Sequence, residues 1–355
     1  MARPLAKGQH TAGGDRVEID GAMGEGGGQV LRTSLALSLI TQTPLRVVNV
    51  RAGRKRPGLR RQHVAAIEAA AQVGGGRVEG VALDAREFTF YPRAIRGGDY
   101  RFEVESAGSM TLVAQTVLPA LWAARVPATL AFKGGTHNPM APTFHYLSEV
   151  FLPRVAPLGC KASATLARPG FYPRGGGRFR LELSPERPAG ALTLLEREPL
   201  SGARARVMAP GLPEHVAQRE LARVRERLGW SEAQCEVVPC SAAQGPGNVL
   251  ILEVQHGGLR EHATAFGERR KPAEAVADEA IDELERYLAA PVPVGEHLAD
   301  QLLLPMALAG GGRFRTLPLS LHARTQLELI PRFLGVEFSV TPCPGGVEVS
   351  VARSG

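Results

Sequence analysis

The chain has 355 residues, longer than a single hydrophobic core usually supports, so two domains are expected. Hydrophobic residues make up 44% and charged residues 22%, the balance of a soluble globular protein. The net charge of +7 suits a phosphate-rich partner without naming one. The four cysteines form no C-x-x-C pair, so neither a zinc site nor a disulfide framework is suggested, and a reducing cytoplasmic compartment is the simplest setting.

In chain order, residues 1–16, "MARPLAKGQHTAGGDR", carry no apolar core of a signal peptide and read as a tail. "EGGGQVLRTSLALSLITQTPLRVVNV" then gives a glycine turn, a helix with Leu31, Leu35 and Leu39 on one face, and a strand. A basic loop and second helix follow in "RAGRKRPGLRRQHVAAIEAAAQVGG", and strands at "REFTFYP" and "DYRFEVES" close the unit. The order recurs from residue 106. "SAGSMTLVAQTVLPALWAA" is uncharged and long enough to raise a membrane span, but Gln115, Pro119 and several hydroxyls interrupt it and no second candidate exists. A buried helix and no membrane association are expected. "ATLAFKGGTHN", "APTFHYLSEVFLPRVAPLG", "KASATLA" and "RFRLELS" complete the second unit. A third, shorter copy runs through "VGEHLADQLLLPMALAGGG", "RFRTLPLS", "HARTQLELIPRFLG", "VEFSVTP" and "GVEVSVA".

Each first helix carries one polar residue in its second turn: Arg32, Gln115 and Gln301. The first two are 83 positions apart and the last two 186 apart, so roughly a hundred residues are inserted before the third unit. The expected fold is therefore α/β (α+β). Three repeated units form a large domain over residues 17–187 and 289–355, and a small α/β domain is inserted at 188–288. Within the insert, strands are expected at "SGARARVMA", "CEVVPC" and "NVLILEVQ", and helices at "PEHVAQRELARVRERLG" and "AEAVADEAIDELERYLA".

The loop Gly24–Gln29, "GEGGGQ", opens a helix, where backbone N–H groups bind phosphate well. No G-K-[ST] follows, and Gln29 stands where a dinucleotide fingerprint needs its third glycine, so neither nucleotide motif is met. Glu25 within the loop could hold a divalent cation. Arg51, Arg54, Lys55, Arg56, Arg60 and Arg61 crowd one loop whose guanidinium groups match phosphate oxygens. His63 falls on an apolar seam and reads as a core histidine. His322 begins the last second-helix, where unit one has its arginine loop. If like elements pack side by side, His322 faces those arginines as a candidate nucleophile or general acid/base.

These residues have a known counterpart. "GEGGGQVLRTSLALS", "RAGRKRPGLRRQH", "SAGSMTLVAQTVLPAL", "GGTHNPMAP", "GFYPRGGG", "QGPGN", "GEHLADQLLLPMALAG" and "HARTQ" resemble, in order, the RNA 3′-terminal phosphate cyclases. The resemblance implies ATP-dependent conversion of an RNA 3′-phosphate into a 2′,3′-cyclic phosphate, through histidine–AMP and RNA-pp-A intermediates, with release of pyrophosphate and AMP. It puts the adenylated histidine at His322, phosphate-binding arginines at Arg32, Arg51 and Arg54, and a ligand for Mg²⁺ or Mn²⁺ at Glu25. It puts nucleotide contacts at Gln115, Pro142, the segment His297, Leu298, Ala299, Asp300 and Gln301, and Gln62 nearby. The partners implied are ATP and RNA with a 3′-phosphate end; homodimerisation stays open. Two positions depart from the pattern: His297 replaces a tyrosine found in some members, and Gln326 stands where some have asparagine. Relatives acting as scaffolds lack the histidine, which argues against that role here.

Overall fold

The computed structural model describes residues 16–354; the expected tail lies outside them except for Arg16. Unit one is β1 (Val17–Asp20), α1 (Gly28–Thr41), β2 (Leu45–Val48), α2 (Arg61–Val73), β3 (Arg77–Glu79) and β4 (Phe88–Tyr91). Unit two is β5 (Gly98–Glu103), α3 (Met110–Ala123), β6 (Ala128–Gly134), a π-helical stretch (Tyr146–Phe151) running into the short α4 (Leu152–Val155), β7 (Ala162–Arg168) and β8 (Gly177–Leu183). β9 (Leu192–Leu194) opens unit three. The insert follows with β10 (Leu200–Met208), α5 (Glu214–Leu228), β11 (Cys235–Val237), β12 (Val249–His256), β13 (Leu259–Phe266) and α6 (Ala273–Ala289). Unit three then resumes with α7 (Glu296–Ala309), β14 (Gly312–Thr316), α8 (Leu321–Leu329), β15 (Val336–Cys343) and β16 (Gly346–Arg353).

The three large-domain sheets share one topology, β1-β2-β4-β3, β5-β6-β8-β7 and β9-β14-β16-β15. In each, the first strand pairs parallel with the second and the other contacts are antiparallel. Two expectations are corrected. "DYRFEVES" opens unit two instead of closing unit one, because β5 pairs with β6, from Gly98 beside Ala128 to Glu103 beside Lys133. The segment expected as insert, 188–288, begins with a strand of the third sheet, since Leu192–Leu194 pairs with Gly312–Phe314. The elements of the insert run from Leu200 to Ala289.

Helices explain the convergence. α3 is uncharged and buried along most of its length, and α1 packs against α2, α3 and α8 in one continuous core that joins all three units. At 14 residues α3 is too short to span a bilayer. No helix among the described residues is long and apolar enough to cross a membrane. Pro119 and Pro305 occupy the same place in α3 and α7, four residues after Gln115 and Gln301, and both line the central cleft.

The insert has its own core between its sheet and helices α5 and α6, built from residues such as Val207, Leu221, Leu252 and Ile281. Its other sheet face meets unit two. Arg206 donates from Nη1 to Glu149 Oε1 at 2.9 Å and from Nη2 to Glu149 Oε2 at 2.5 Å. His262 Nε2 lies 2.9 Å from Glu253 Oε2, which Arg206 also reaches at 3.2 Å. Burial opposes ionisation of Glu149, but hydrogen bonds from His262 and Arg206 outweigh it and hold its pKa far below the carboxylate norm. Glu149, Glu253 and His262 are also the one trio with metal-ligand spacing among the described residues, yet arginines already occupy the carboxylates. Removing Glu149 takes away two of the three carboxylate hydrogen bonds that hold the buried Arg206 guanidinium and leaves it Glu253 alone. Glu149→Ala is expected to lower stability by about 3 kcal/mol in urea unfolding, with an unchanged midpoint as the contrary result.

Candidate active site

The glycine loop between β1 and α1 is shaped by contact with unit three. Gly24 has φ +55°, and a Cβ there would overlap the Thr325 side chain. That closeness lets the Glu25 N–H donate to Thr325 Oγ1 at 2.9 Å, tying the loop to α8. Glu25 turns back over the helix start, and its Oε1 accepts the Gln29 N–H at 3.0 Å. Arg54 reaches across from the basic loop to Glu25 Oε2 at 2.5 Å and to the Glu25 carbonyl at 2.7 Å. A Cβ at Gly28 would strike the Arg32 guanidinium and the His63 ring, so glycine is what admits both against the helix start.

α8 presents His322 to this loop. Ser320 caps the helix, accepting the Ala323 N–H at 3.1 Å. His322 Nδ1 stands 2.9 Å from Gln29 Oε1, and Gln29 Nε2 stands 3.4 Å from Asp300 Oδ2 on α7. With its amide nitrogen turned to the carboxyl, Gln29 offers its oxygen to the ring, so His322 donates from Nδ1 and Nε2 keeps its lone pair. Enclosure by the cleft walls lowers the His322 pKa, Glu25 opposes the shift, and Arg32, Arg54 and His297 reinforce it. The imidazole is therefore neutral at pH 7.

A cleft of about 2160 Å³ holds these groups. Every arginine expected at the site lines it, as do Glu25, Gln62, Gln115, Pro142, His297, Asp300, Gln301 and His322. Arg32 makes no ion pair or hydrogen bond with any described residue; burial lowers its pKa to about 10, against the pull of Glu25 and Asp300. Arg51 donates to the Arg56 and Gly58 carbonyls at 2.7 and 3.2 Å, bracing its own loop. The Gln115 side chain donates to Gln301 Oε1, and Gln301 Nε2 donates to the His297 carbonyl at 3.0 Å. The Pro142 carbonyl accepts from Thr111 Oγ1 at 2.7 Å, and Gln62 Oε1 accepts the Ser109 N–H at 3.4 Å.

Three expectations change. Leu298 and Ala299 lie in the core and do not line the cleft, because they occupy the inner face of α7. His297 is exposed but engaged: its Nε2 stands 3.2 Å from Glu283 Oε1 on α6, and that hydrogen bond raises its pKa to about 9 against desolvation by the surrounding cleft. It is a cation at the cleft wall. Glu25 offers one carboxylate whose two oxygens already accept from Gln29 and Arg54, so it makes no seat for a resident ion by itself. His63 is buried as expected, and its Nδ1 accepts the Arg60 N–H at 3.0 Å. Burial and then Arg32, Arg51 and Arg60 lower its pKa to about 3.

Sequence reasoning missed Gln29. Its only signal is its place as the last residue of the glycine loop, directly opposite α8. Asp300 was placed only as a nucleotide contact, yet burial raises its pKa to about 7, with His297 and Arg32 opposing, and its Oδ1 has no partner. Gln326 Oε1 is likewise buried and unpartnered in the cleft.

A neutral imidazole with a free Nε2, beside a half-buried unpaired guanidinium and a glycine-shaped helix start, can attack a phosphorus centre and hold the oxygens around it. A sequence model described as RNA 3′-terminal phosphate cyclase matches residues 23–340, nearly the whole chain, and the protein belongs to the RNA 3′-terminal phosphate cyclase family.

Proposed function

We propose that this chain closes an RNA 3′-phosphate into a 2′,3′-cyclic phosphodiester at the expense of ATP, with His322 as the nucleophile. The family's reaction is cyclisation of RNA 3′-phosphate ends. The observation that carries the reading here is the 2.9 Å contact from His322 Nδ1 to Gln29, which frees Nε2 inside an arginine-lined cleft.

A phosphate monoester resists attack because its oxygens repel a hydroxyl and it has no good leaving group. Nucleophilic catalysis divides the difficulty. His322 Nε2 bonds to the α-phosphorus of ATP and pyrophosphate leaves. An oxygen of the RNA 3′-phosphate then attacks that phosphorus, the P–N bond breaks, and the imidazole is restored. The neighbouring 2′-hydroxyl attacks the 3′-phosphorus, loses its proton, and AMP departs. Proximity favours this last step, since nucleophile and electrophile belong to one ribose.

The chain's own groups supply charge and orientation. Arg32 and the free edge of Arg51 lie where phosphate oxygens would gather, and the fixed donors need no rearrangement as charge develops. Arg54 is bound to Glu25 and contributes through that pair. Gln115, Gln301, Asp300 and Pro142 surround the remaining volume and fit a nucleoside, with Asp300 Oδ1 still open to a ribose hydroxyl. Mg²⁺ or Mn²⁺ would arrive on the triphosphate, near Glu25, and would add phosphate charge neutralisation. The 2′-hydroxyl requirement selects RNA over DNA.

Incubation with α-³²P-ATP is expected to label the wild-type protein, and His322→Ala to carry no label; absence of label on the wild type with either metal defeats the reading. Gln29→Leu removes the acceptor that fixes the ring tautomer. Its self-adenylation rate is expected to fall about 10²-fold while the KM for ATP moves less than threefold. An equal change in both would make Gln29 a binding residue. The lowered His322 pKa predicts a rate that rises with pH through a midpoint below the ordinary imidazole value, since only the neutral ring attacks. Ionisation of Asp300 adds a second inflection near pH 7, which Asp300→Asn should erase.

A further inference from the structure

Two sequence motifs take no part in the chemistry above: Gly170–Gly177, "GFYPRGGG", and Gln244–Asn248, "QGPGN". The first links β7 to β8 in unit two, and the second leads into β12 of the insert. The structure packs them on each other. A Cβ at Gly247 would overlap the Phe171 ring, one at Gly245 the Arg174 stem, and one at Gly176 the Gln244 side chain. Phe171 is buried, stacks on His137 with ring centroids 5.2 Å apart, and packs with Met208, Val249 and Ile251 on the insert sheet. The glycines thus permit a close seam, and Phe171 anchors it.

The residue after that anchor does the opposite. Tyr172 is 69% exposed, lines the cleft, and has no hydrogen bond or ring partner among the described residues. Leu83, Met140 and Leu212 are also exposed along the cleft wall. The charged groups here are unbalanced. Arg56 and Arg61 of unit one and Arg269 of the insert line the cleft and form no ion pair among the described residues. The nearby carboxylates Asp84 and Glu279 are taken by Arg60 and Lys271, which leaves Glu268 as the exposed opposing charge.

We infer that the outer cleft, between the arginine loop of unit one and the inserted domain, is a track for single-stranded RNA. Tyr172 stacks a base 5′ to the terminal nucleotide, Arg56, Arg61 and Arg269 hold its phosphates, and the insert supplies the second wall. The combination of free guanidinium groups with an exposed aromatic ring next to the buried Phe171 anchor fits a polyanion with π-faces better than it fits a peptide. The polarity of the strand rests on the cyclase reading, which puts the terminal phosphate near Arg32.

The test is fluorescence anisotropy of a 3′-phosphorylated, labelled ten-nucleotide RNA without ATP. Tyr172→Ala is expected to weaken binding about tenfold and Tyr172→Phe less than twofold, since the ring and not the hydroxyl does the stacking. The double variant Arg56→Ser/Arg269→Ser is expected to flatten the slope of log Kd against log salt by about 1.4, from roughly 0.7 per lost phosphate contact. Wild-type affinity in Tyr172→Ala, equal weakening in Tyr172→Phe, or an unchanged salt slope would overturn the track. Labelling of the wild type by α-³²P-ATP without RNA reports on the cyclase reading separately, so either can fail alone.

Discussion

The site depends on one contact between units far apart in sequence: the Glu25 N–H on Thr325 Oγ1, made over a glycine that has no Cβ to keep the two apart. Thr325 is one helical turn after His322, so holding it against the loop also carries the imidazole to Gln29. The same loop residue, Glu25, ends the orphan N–H of the helix start and fixes Arg54. One close approach thereby positions a ring, a helix terminus and a guanidinium together. The rest of the large domain is the means by which α1 and α8 come side by side, through three copies of one β-α-β-α-β-β arrangement around a shared core.

The repeat gives the three units equal geometry and unequal chemistry. The equivalent second-turn positions hold Arg32, Gln115 and Gln301, and two of them are joined by a hydrogen bond between their amides. Unit three brings His322, unit one brings the clustered arginines, and unit two brings the Pro142 loop. A single crevice needs contributions from all three, because no unit alone encloses it.

Much of this was legible in the sequence. Apolar periodicity gave the helices of the large domain, and the spacing of Arg32, Gln115 and Gln301 revealed an insertion. What escaped depended on pairing or on facing. β13 was overlooked because "LREHATAF" buries a polar residue on each face, His262 toward Glu149 of unit two and Glu261 on the opposite side where it accepts the Gly295 N–H, and such a pattern does not read as a strand. β5 was assigned to the wrong unit, since parallel pairing with β6 is a long-range choice that leaves no local mark. Leu298 and Ala299 were grouped with their polar neighbours although helical geometry turns them to the core. Gln29 escaped notice because a polar residue at a helix start ordinarily faces water, and its place at the end of the glycine loop does not by itself say what it faces.

The unpaired state of Arg32 bears on turnover in the proposed reaction. A terminal phosphate monoester carries close to two negative charges at neutral pH, whereas a cyclic diester carries one. A pocket whose attraction is mainly electrostatic grips the uncyclised end more firmly than the finished one. In that reading, cyclisation itself weakens the hold on the RNA end as its charge falls.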